Sequence, residues 1–305
     1  MHTIYFARSG IDAASEGPYN SGMTHQHPRH LLIFGSGYVA GFLAQAATRQ
    51  GWQVTVVTRM PEHAGAQIQQ WGAVPLAFGA PLPETATHGV MTAPPAPEDG
   101  TDPVLATYTT AALRHLQRLV YLSSTGVYGD TDGTPVDETA PLLARAPRGV
   151  ARVAAEAHWH TSALPVDTLR LSGIYGPGRN MLERLKEGRI AGLERSTRPV
   201  NRIHVADIVQ AILACLNTSL APTIYNLADD TPAPTADVIA YAATLLGQPC
   251  PPPQHPNDSH LMDGSRIVLN QRLKTALGVQ LQYPDYRAGL QALHAPSNTA
   301  KDSPL

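Results

Sequence analysis

The chain has 305 residues, of which 43% are hydrophobic, 15% are charged and 6% are aromatic. At roughly 150 residues per domain, this length allows about two domains, and the apolar content suffices for a core without disulfides or a structural metal. A net charge of -2 offers no basic surface for nucleic acid or an anionic membrane, and no apolar run reaches the ~18 residues of a membrane helix. Only Cys215 and Cys250 are present, which indicates a reducing, cytoplasmic location.

The two ends of the chain lack a regular pattern. Residues 1–29 are rich in Gly, Pro, Ser and His, follow neither a helical nor a strand period, and contain no secretory signal. We predict that they form a disordered extension without a role in the fold, and both Met1 and Met23 are candidate translation starts. Residues 295–305 are polar and are expected to form a flexible tail.

Between these ends, short β-rich runs alternate with segments of helical period. The predicted strands cover residues 31–34, 53–58, 88–93, 119–123, 166–171 and 223–227. The predicted helices cover residues 39–47, 104–116, 205–216, 236–246 and 270–277. This alternation predicts parallel βαβ units and therefore an α/β fold, a doubly wound parallel sheet with a small C-terminal lobe.

A glycine-rich turn joins the first predicted strand to the first helix. Its sequence, GSGYVA at 35–40, has the form G-x-G-x-x-A that is typical of a dinucleotide-binding Rossmann fold in this position. Gly35 would permit the tight turn and Gly37 would let a pyrophosphate approach the backbone, where the N–H groups at the helix start favour anions. The alternative is an ordinary glycine-rich turn without a ligand. The expected cofactor contacts are Gly35, Ser36, Gly37, Tyr38 and Val39.

The end of the second predicted strand bears on the choice of cofactor. NAD sites usually carry Asp or Glu roughly 20 residues beyond the glycines. Here the strand ends on Thr58 and Arg59, with no acidic residue. A guanidinium and a hydroxyl suit the 2′-phosphate of NADP, whereas a solvated surface arginine is the alternative. We predict NADP as the cofactor, with NAD as the second choice.

Four later segments carry further motifs: LSSTGVYG at 122–129, RLSGIYGPGR at 170–179, RIHVADI at 202–208 and YNLAD at 225–229. Together with the glycine turn, they resemble the extended short-chain dehydrogenase/reductase family, the NAD(P)-dependent epimerase/dehydratase proteins. The turn GSGYVA is similar to that of its atypical, nucleoside-diphosphate-sugar epimerase-like subgroup. We therefore expect an NAD(P)-binding Rossmann domain at 30–174, to which 205–229 return, and a small substrate lobe at 175–204 and 230–294.

The resemblance also implies a catalytic arrangement from which this chain departs. In the family, a serine at the position of Ser124 hydrogen-bonds the reacting oxygen, and a Tyr-x-x-x-Lys pair handles the proton. Those two positions fall on Arg148 and Arg152, and the sequence contains no Tyr-x-x-x-Lys. A guanidinium keeps its proton at any working pH, so Arg148 cannot be an acid–base group, whereas Arg152 can still hold the cofactor ribose. The catalytic candidates are Ser124, for which capping of its own turn is an equal alternative, and Arg152.

Further residues of these motifs are candidates for binding. Ala93 and Pro94 resemble the loop that passes over the adenosine or ribose side of the cofactor, and Ser123 lies at the same edge of the predicted sheet. The candidate substrate ligands are Arg179, Asn180, Arg202 and His204. The two arginines would either bind an anionic substrate or pin the lobe to the sheet, and a structural role is favoured for the histidine.

Two tyrosines and two histidines each have a functional and a structural interpretation. Tyr128 and Tyr175 follow predicted strands and offer replacements for the missing tyrosine, but packing within their turns is the favoured interpretation. His158 and His160 stand two apart on a helix and point away from each other, so no metal site is predicted.

Two functions are compatible with the sequence. The first is an NADP-dependent oxidoreductase or epimerase/dehydratase-like enzyme in which an unidentified group or water handles the proton. The alternative is a non-catalytic NADP-binding redox sensor or scaffold protein. In either case we expect a small-molecule partner, with no nucleic acid and no membrane, and analogy with the family suggests a homodimer.

Overall fold

The computed structural model describes residues 29–189, 198–251 and 266–295. The predicted N-terminal extension up to residue 28 and the predicted tail from residue 296 lie outside the described residues. Arg29, assigned to the extension, lies over the ring of Trp52 at 5.2 Å and donates to the side chain of Asn217. Contacts of the fold therefore begin one residue before the predicted boundary.

The described chain contains short strands throughout its length. They are β1 (His30–Phe34), β2 (Gln53–Thr58), β3 (Val74–Ala77), β4 (His88–Met91), β5 (Arg118–Ser124), β6 (Pro135–Val136), β7 (Val166–Leu171), β8 (Gly173–Tyr175), β9 (Arg202–His204), β10 (Ile224–Leu227) and β11 (Ile267–Val268). Seven of these form a parallel sheet in the order β10-β7-β5-β4-β1-β2-β3. The strand order reverses direction between β1 and β4, which makes this a doubly wound Rossmann-type sheet and confirms the predicted α/β fold class.

Helices cover both faces of this sheet. They are α1 (Tyr38–Arg49), α2 (Pro61–Gln70), α3 (Pro103–Thr107), α4 (Thr110–Leu113), α5 (Pro147–Thr161), α6 (Met181–Lys186), α7 (Val205–Asn217), α8 (Thr235–Leu245), α9 (Gln271–Leu277) and α10 (Tyr286–His294). Successive strand residues point to opposite faces. Leu31 and Ile33 therefore join one apolar cluster with α1 and α7, while Leu32 and Phe34 join another with α4 and α5.

Three differences from the sequence prediction have local causes. The predicted helix at 104–116 is two short helices, because Tyr108 is extended and the Thr109 hydroxyl caps a new start by accepting from Ala112 N–H. Strand β4 ends at Met91, before the predicted end, since the N–H groups of Thr92 and Ala93 both turn to the carbonyl of Phe34. Elements α2 and β3 at the sheet edge were not predicted.

The C-terminal part of the chain has a separate small core. Helices α6, α8 and α10 share an apolar cluster whose largest members include Leu185, Ile239, Tyr286 and Leu290. The two-stranded sheet β8–β9 leads from the end of β7 toward this cluster, while α7 and β10 return to the main sheet. The assignment of these segments to a substrate lobe stays a prediction. Of the helices in the described ranges, none combines the length and hydropathy needed to span a bilayer.

Candidate active site

A cavity of about 560 Å³ opens at the carboxyl ends of four neighbouring strands of the sheet, β1, β4, β5 and β7. Its walls come from the start of α1, the segments that follow β4, β5 and β7, and one face of α5. In doubly wound sheets this edge, at the point where strand order reverses, is where ligands bind. The candidate residues that line it are Gly37, Tyr38, Val39, Ser123, Ser124, Arg152 and Arg179.

The two glycines of the first turn have different environments. Gly35 has a φ of +116°, and a Cβ there would lie 2.5 Å from the Thr92 hydroxyl, so the position demands glycine. Gly37 has an ordinary φ of -83°, and a Cβ there would meet no atom within 4 Å. No side chain caps the start of α1. The turn therefore leaves open space directly beside the uncapped N-terminus of a helix of 12 residues.

The hydroxyls of Ser36 and Thr58 connect this turn to the end of β2. The two oxygens lie 3.1 Å apart, and the Thr58 hydroxyl also accepts from the N–H of Met60 at 3.4 Å. Thr58 is buried, so its hydroxyl is engaged within the protein. Arg59 is exposed and makes no hydrogen bond or ion pair with any residue that the structure describes. Of the two strand-end candidates, only Arg59 is thus available to a ligand.

The segment after β4 packs against the glycine turn. Thr92 lines the cavity and donates from its hydroxyl to the carbonyl of Phe34 at 3.0 Å. Ala93 is half-buried with its N–H on the same carbonyl, and Pro94 is exposed. The sequence prediction included Ala93 and Pro94 but not Thr92. The hydroxyl of Thr92 lies so close to Gly35 that it excludes a side chain there.

Ser123 and Ser124 end β5 with their hydroxyls in different environments. The Ser123 hydroxyl is buried and donates to the Glu156 carboxylate at 2.5 Å, so this residue faces the cavity with its backbone. The Ser124 hydroxyl is half-buried and accepts from the N–H of Gly126 at 3.1 Å. That hydrogen bond uses one lone pair and leaves the hydroxyl proton free to donate. The turn-capping and substrate-orienting roles weighed for Ser124 are therefore compatible.

Arg148 and Arg152 both reach the cavity from the inner face of α5. Arg152 is half-buried and donates to the carbonyl of Leu122 and, at 3.2 Å, to the hydroxyl of Tyr121. Arg148 is exposed and makes no hydrogen bond to a described residue. The helix approaches the Ser124 turn closely, since a Cβ at Gly149 would lie 2.9 Å from the carbonyl oxygen of Gly126.

The phenols considered as replacements for a catalytic tyrosine are held in the interior. The Tyr128 hydroxyl donates to Asn226 at 2.7 Å and accepts from Arg170 at 2.9 Å, and burial raises the pKa of Tyr128. The Tyr175 hydroxyl donates to the carbonyl of Asp285 at 3.3 Å, and burial, reinforced by nearby carboxylates, raises the pKa of Tyr175 far above its ordinary value. Neither residue lines the cavity, which supports the packing interpretation for both.

Tyr38 lines the cavity but is no better as an acid–base group. Its hydroxyl donates to the carbonyl of Pro177 at 2.8 Å, and burial raises the pKa of Tyr38 to about 12. The contact ties the start of α1 to the loop after β8. Tyr38 therefore lines the site but does not act as a proton donor at neutral pH.

Of the four predicted substrate ligands, only Arg179 lines the cavity, with its guanidinium 5.7 Å from the centre of the Tyr38 ring. Asn180 caps α6 by accepting from the N–H of Glu183 at 3.1 Å. Arg202 donates to the carbonyls of Val200 and Ala233, which is the lobe-pinning role weighed against anion binding.

His204 also serves the framework. It is buried, and its Nδ1 accepts from the N–H of Ala206 at 3.2 Å and caps α7. Burial lowers the pKa of His204 to about 4, so the ring is neutral at pH 7. This geometry agrees with the structural role favoured for it.

The cavity is strongly basic. Among the described residues that line it there are four arginines, Arg148, Arg152, Arg179 and Arg266, and no Asp or Glu. Arg266 donates to the carbonyl of Gly129 at 2.6 Å. Sequence reasoning missed Arg266, which lies in no motif, and treated Arg148 only as a lost relay residue. The described ranges contain no group of three or more His, Cys, Asp or Glu side chains that could hold a metal ion.

Comparisons with known proteins give one family match and several similar proteins. Residues 99–228 match the NAD dependent epimerase/dehydratase family. The chain is 30% identical over 279 residues to Protein YeeZ of Escherichia coli (strain K12), which covers 84% of this chain and 97% of that protein. A solved structure of a functionally unknown conserved protein from Silicibacter pomeroyi DSS is 39% identical, with a TM-score of 0.79 over 89% of this chain and 100% of that one.

A more distant structure shares the fold. MoeE5, solved in complex with UDP-glucose and NAD, is 20% identical to this chain. It superposes with a TM-score of 0.69 over 87% of this chain and 97% of that one.

Proposed function

This chain belongs to the NAD-dependent epimerase/dehydratase family, and from that premise we propose that it is an NADP-dependent oxidoreductase or epimerase-type enzyme acting on a small-molecule substrate. The observation that carries the proposal is the cavity that joins the glycine turn, Ser124 and the Arg152 face of α5 at one edge of the sheet. The residues present in that cavity fit a dinucleotide.

The fit to a pyrophosphate rests on the glycine turn. The open space at Gly37 would accommodate a phosphate, and the uncapped N–H groups at the start of α1 would donate to its oxygens. Ser36 and Thr58 would hold the turn in place through their paired hydroxyls. Tyr38 and Val39 would border the same space, with the backbone of Ala93 close to Gly35. Pro94, the next residue, is exposed and would contact the cofactor from the same loop.

The preference for NADP rests on Arg59. The end of β2 presents this arginine and no carboxylate, and the guanidinium is exposed and unengaged within the described residues. A guanidinium fork matches a phosphate monoester, whereas the ribose diol of NAD is usually bound by an acidic side chain. We infer that Arg59 contacts the 2′-phosphate.

The chemistry of the site divides between the cofactor and the chain. When bound, the nicotinamide would supply hydride transfer. The free proton of the Ser124 hydroxyl would orient a substrate oxygen, and Arg152, fixed by Leu122 and Tyr121, would hold the ribose. Since the described phenols near the site are engaged and have raised pKa values, the proton would pass to water or to a group on the substrate.

A non-catalytic NADP-binding sensor or scaffold is the second candidate. The observation that favours it is Arg148, which stands at the family's relay tyrosine and cannot exchange a proton at neutral pH. A turnover screen with NADPH against carbonyl and nucleotide-sugar substrates separates the two candidates. Turnover of any of these substrates supports the enzyme, whereas tight NADPH binding with no turnover supports the sensor or scaffold.

A cytoplasmic location and a homodimer complete the proposal. The location rests on the low cysteine content, and the homodimer rests on analogy with the family.

The cofactor assignment has a direct test. NADPH and NADH are titrated into the protein and into Arg59→Ala, and binding is followed by cofactor fluorescence. We expect wild type to bind NADPH about tenfold or more tightly than NADH, because a charge-assisted hydrogen bond to phosphate contributes about 1.5–3 kcal/mol. Arg59→Ala should remove the difference and leave NADH binding unchanged. Equal binding of both cofactors by wild type would refute the NADP assignment.

A further inference from the structure

The inner face of α5 presents two arginines to the cavity. Arg148 and Arg152 are four residues apart, which puts them one above the other on the same side of a helix. Both line the cavity, together with Gly149 between them. The close approach of Gly149 to the Gly126 carbonyl puts this first turn of α5 directly against the Ser124 turn.

These two arginines differ in the hydrogen bonds that their guanidinium groups make within the protein. Arg152 donates to Leu122 and Tyr121 and lies within electrostatic range of the buried carboxyl of Asp102. Arg148 has neither a hydrogen bond nor an ion pair with a described residue. Its five N–H donors are therefore available to a molecule in the cavity.

The charge of the whole cavity favours an anion. Arg179 and Arg266 add two further guanidinium groups, and the described residues that line the cavity include no Asp or Glu. Like charges that share a partly desolvated space repel one another, and an anion bound among them relieves that repulsion. Guanidinium forks bind carboxylate and phosphoryl oxygens in bidentate geometry, so both groups fit the same chemistry.

We propose that Arg148 is a substrate-binding residue that binds an oxyanion of the substrate, a carboxylate or phosphoryl group, beside Ser124. The proposal rests on the proposed function for the identification of this anion as part of a substrate. Arg179 lies over Tyr38, next to the glycine turn, whereas Arg148 approaches from α5 on another wall. Arg148 therefore defines an anion subsite separate from the pyrophosphate corner at Gly37.

The test uses protein saturated with NADP+, so that the phosphates of the cofactor already occupy their own site. Citrate, inorganic pyrophosphate and uncharged glucose are titrated separately by calorimetry into wild type, Arg148→Gln and Arg145→Gln. Arg145 is the matched control, because it is an exposed arginine three residues earlier that does not line the cavity. Both variants lose one positive charge from the same region of the chain.

We expect citrate or pyrophosphate to bind wild type, with Arg148→Gln weakening that binding about tenfold or more and Arg145→Gln leaving it within about twofold. The anion that binds more tightly identifies the carboxylate or the phosphoryl class, and glucose should not bind. The proposal is overturned if neither anion binds wild type, or if the two variants bind the anions equally.

NADP+ is titrated before the anions, so that failure of the anion subsite can be distinguished from failure of the proposed function. If NADP+ does not bind, the cofactor assignment fails, and the same anion titrations on the free protein still compare Arg148→Gln with Arg145→Gln. If Arg148→Gln weakens NADP+ binding but not anion binding, the residue belongs to the cofactor site and the proposed subsite is refuted.

Discussion

Ser123 and Ser124 are neighbours on β5 whose hydroxyls face opposite sides of the strand, as the pleat requires. The Ser123 hydroxyl belongs to a buried network in which Glu156 also pairs with Arg170 at 2.7 Å. The Ser124 hydroxyl faces the cavity and caps a short turn. One residue therefore supports the interior, and its neighbour remains available to a ligand.

Alanine substitutions should separate these two roles. Ser123→Ala removes a donor from a buried carboxylate and should lower the free energy of unfolding by about 1–3 kcal/mol. Ser124→Ala should cost about 1 kcal/mol or less in stability, since it removes only a turn cap, but should reduce turnover of any substrate found in the screen at least about tenfold. Urea unfolding and steady-state kinetics measure the two effects. Unchanged turnover in Ser124→Ala would mean that this serine is only structural.

At the level of single residues, the sequence could identify site residues whose role depends on their immediate neighbours in the chain. Gly37 and Ser124 lie in local motifs, and both line the cavity. Arg202 was left open between two roles, because the carbonyl of Ala233 that engages it lies 31 residues away. Arg148 was considered only as the position of the missing relay tyrosine, because its local sequence does not show that its side chain reaches the cavity.

The βα turn between β1 and α1 is the element whose local sequence carries most of the cofactor proposal. Its two glycines have opposite requirements: Gly35 avoids a clash inside the protein, and Gly37 leaves space outside it. The motif G-x-G-x-x-A alone does not distinguish these two reasons. The positions of Thr92 and of the cavity distinguish them.

Alanine at each glycine should therefore have a different effect. Gly35→Ala should lower the free energy of unfolding by about 1–3 kcal/mol, because of the left-handed φ and the 2.5 Å approach to the Thr92 hydroxyl. Gly37→Ala should leave stability nearly unchanged but weaken NADPH binding about tenfold or more, since its methyl group would occupy the space proposed for the pyrophosphate. Thermal unfolding and fluorescence titration test the pair. Wild-type NADPH affinity in a folded Gly37→Ala variant would contradict the proposed position of the cofactor.

Elements with a strong apolar period were predicted most accurately. Strands β2 and β7 occupy the predicted residues, and all or nearly all of their side chains are buried. Helix α2 and strand β3 were missed because they lie at the sheet edge. Only Gly65 and Ile68 of α2 are buried, and β3 contains Pro75 and an exposed Val74, so neither has a clear pattern.

At the scale of the whole molecule, the C-terminal part is joined to the sheet by buried polar groups as well as by apolar packing. Asp229, two residues after the end of β10, accepts through one carboxylate oxygen from the backbone of Arg202 at 3.0 Å and from the side chain of Asn201 at 3.2 Å. The side chain of Asn201 in turn accepts from the N–H of Val268 in β11 at 2.8 Å. This junction links β9, the segment after β10, and β11, a strand that the sequence analysis did not predict.

The burial of Asp229 should make this junction sensitive to pH. Desolvation raises the pKa of Asp229 from 3.8 to about 7, against the opposing effect of its hydrogen bonds and of Arg202. Between about pH 4 and pH 7 the folded state therefore keeps a proton that the unfolded chain releases, and stability falls as the pH rises through this range. The same sign applies to Asp207, whose pKa burial raises to about 6.

Replacing this carboxyl should remove part of the pH dependence. The Asn side chain in Asp229→Asn can keep the accepted hydrogen bonds and carries no charge, so its stability relative to wild type should increase by at least about 1.4 kcal/mol from pH 5 to pH 8. Asp237→Asn, at an exposed carboxyl in the first turn of α8, is the control and should follow the wild-type profile. Urea unfolding at the two pH values measures the difference. If Asp229→Asn keeps the pH dependence of wild type, ionisation at this junction does not control how firmly the C-terminal part is held to the sheet.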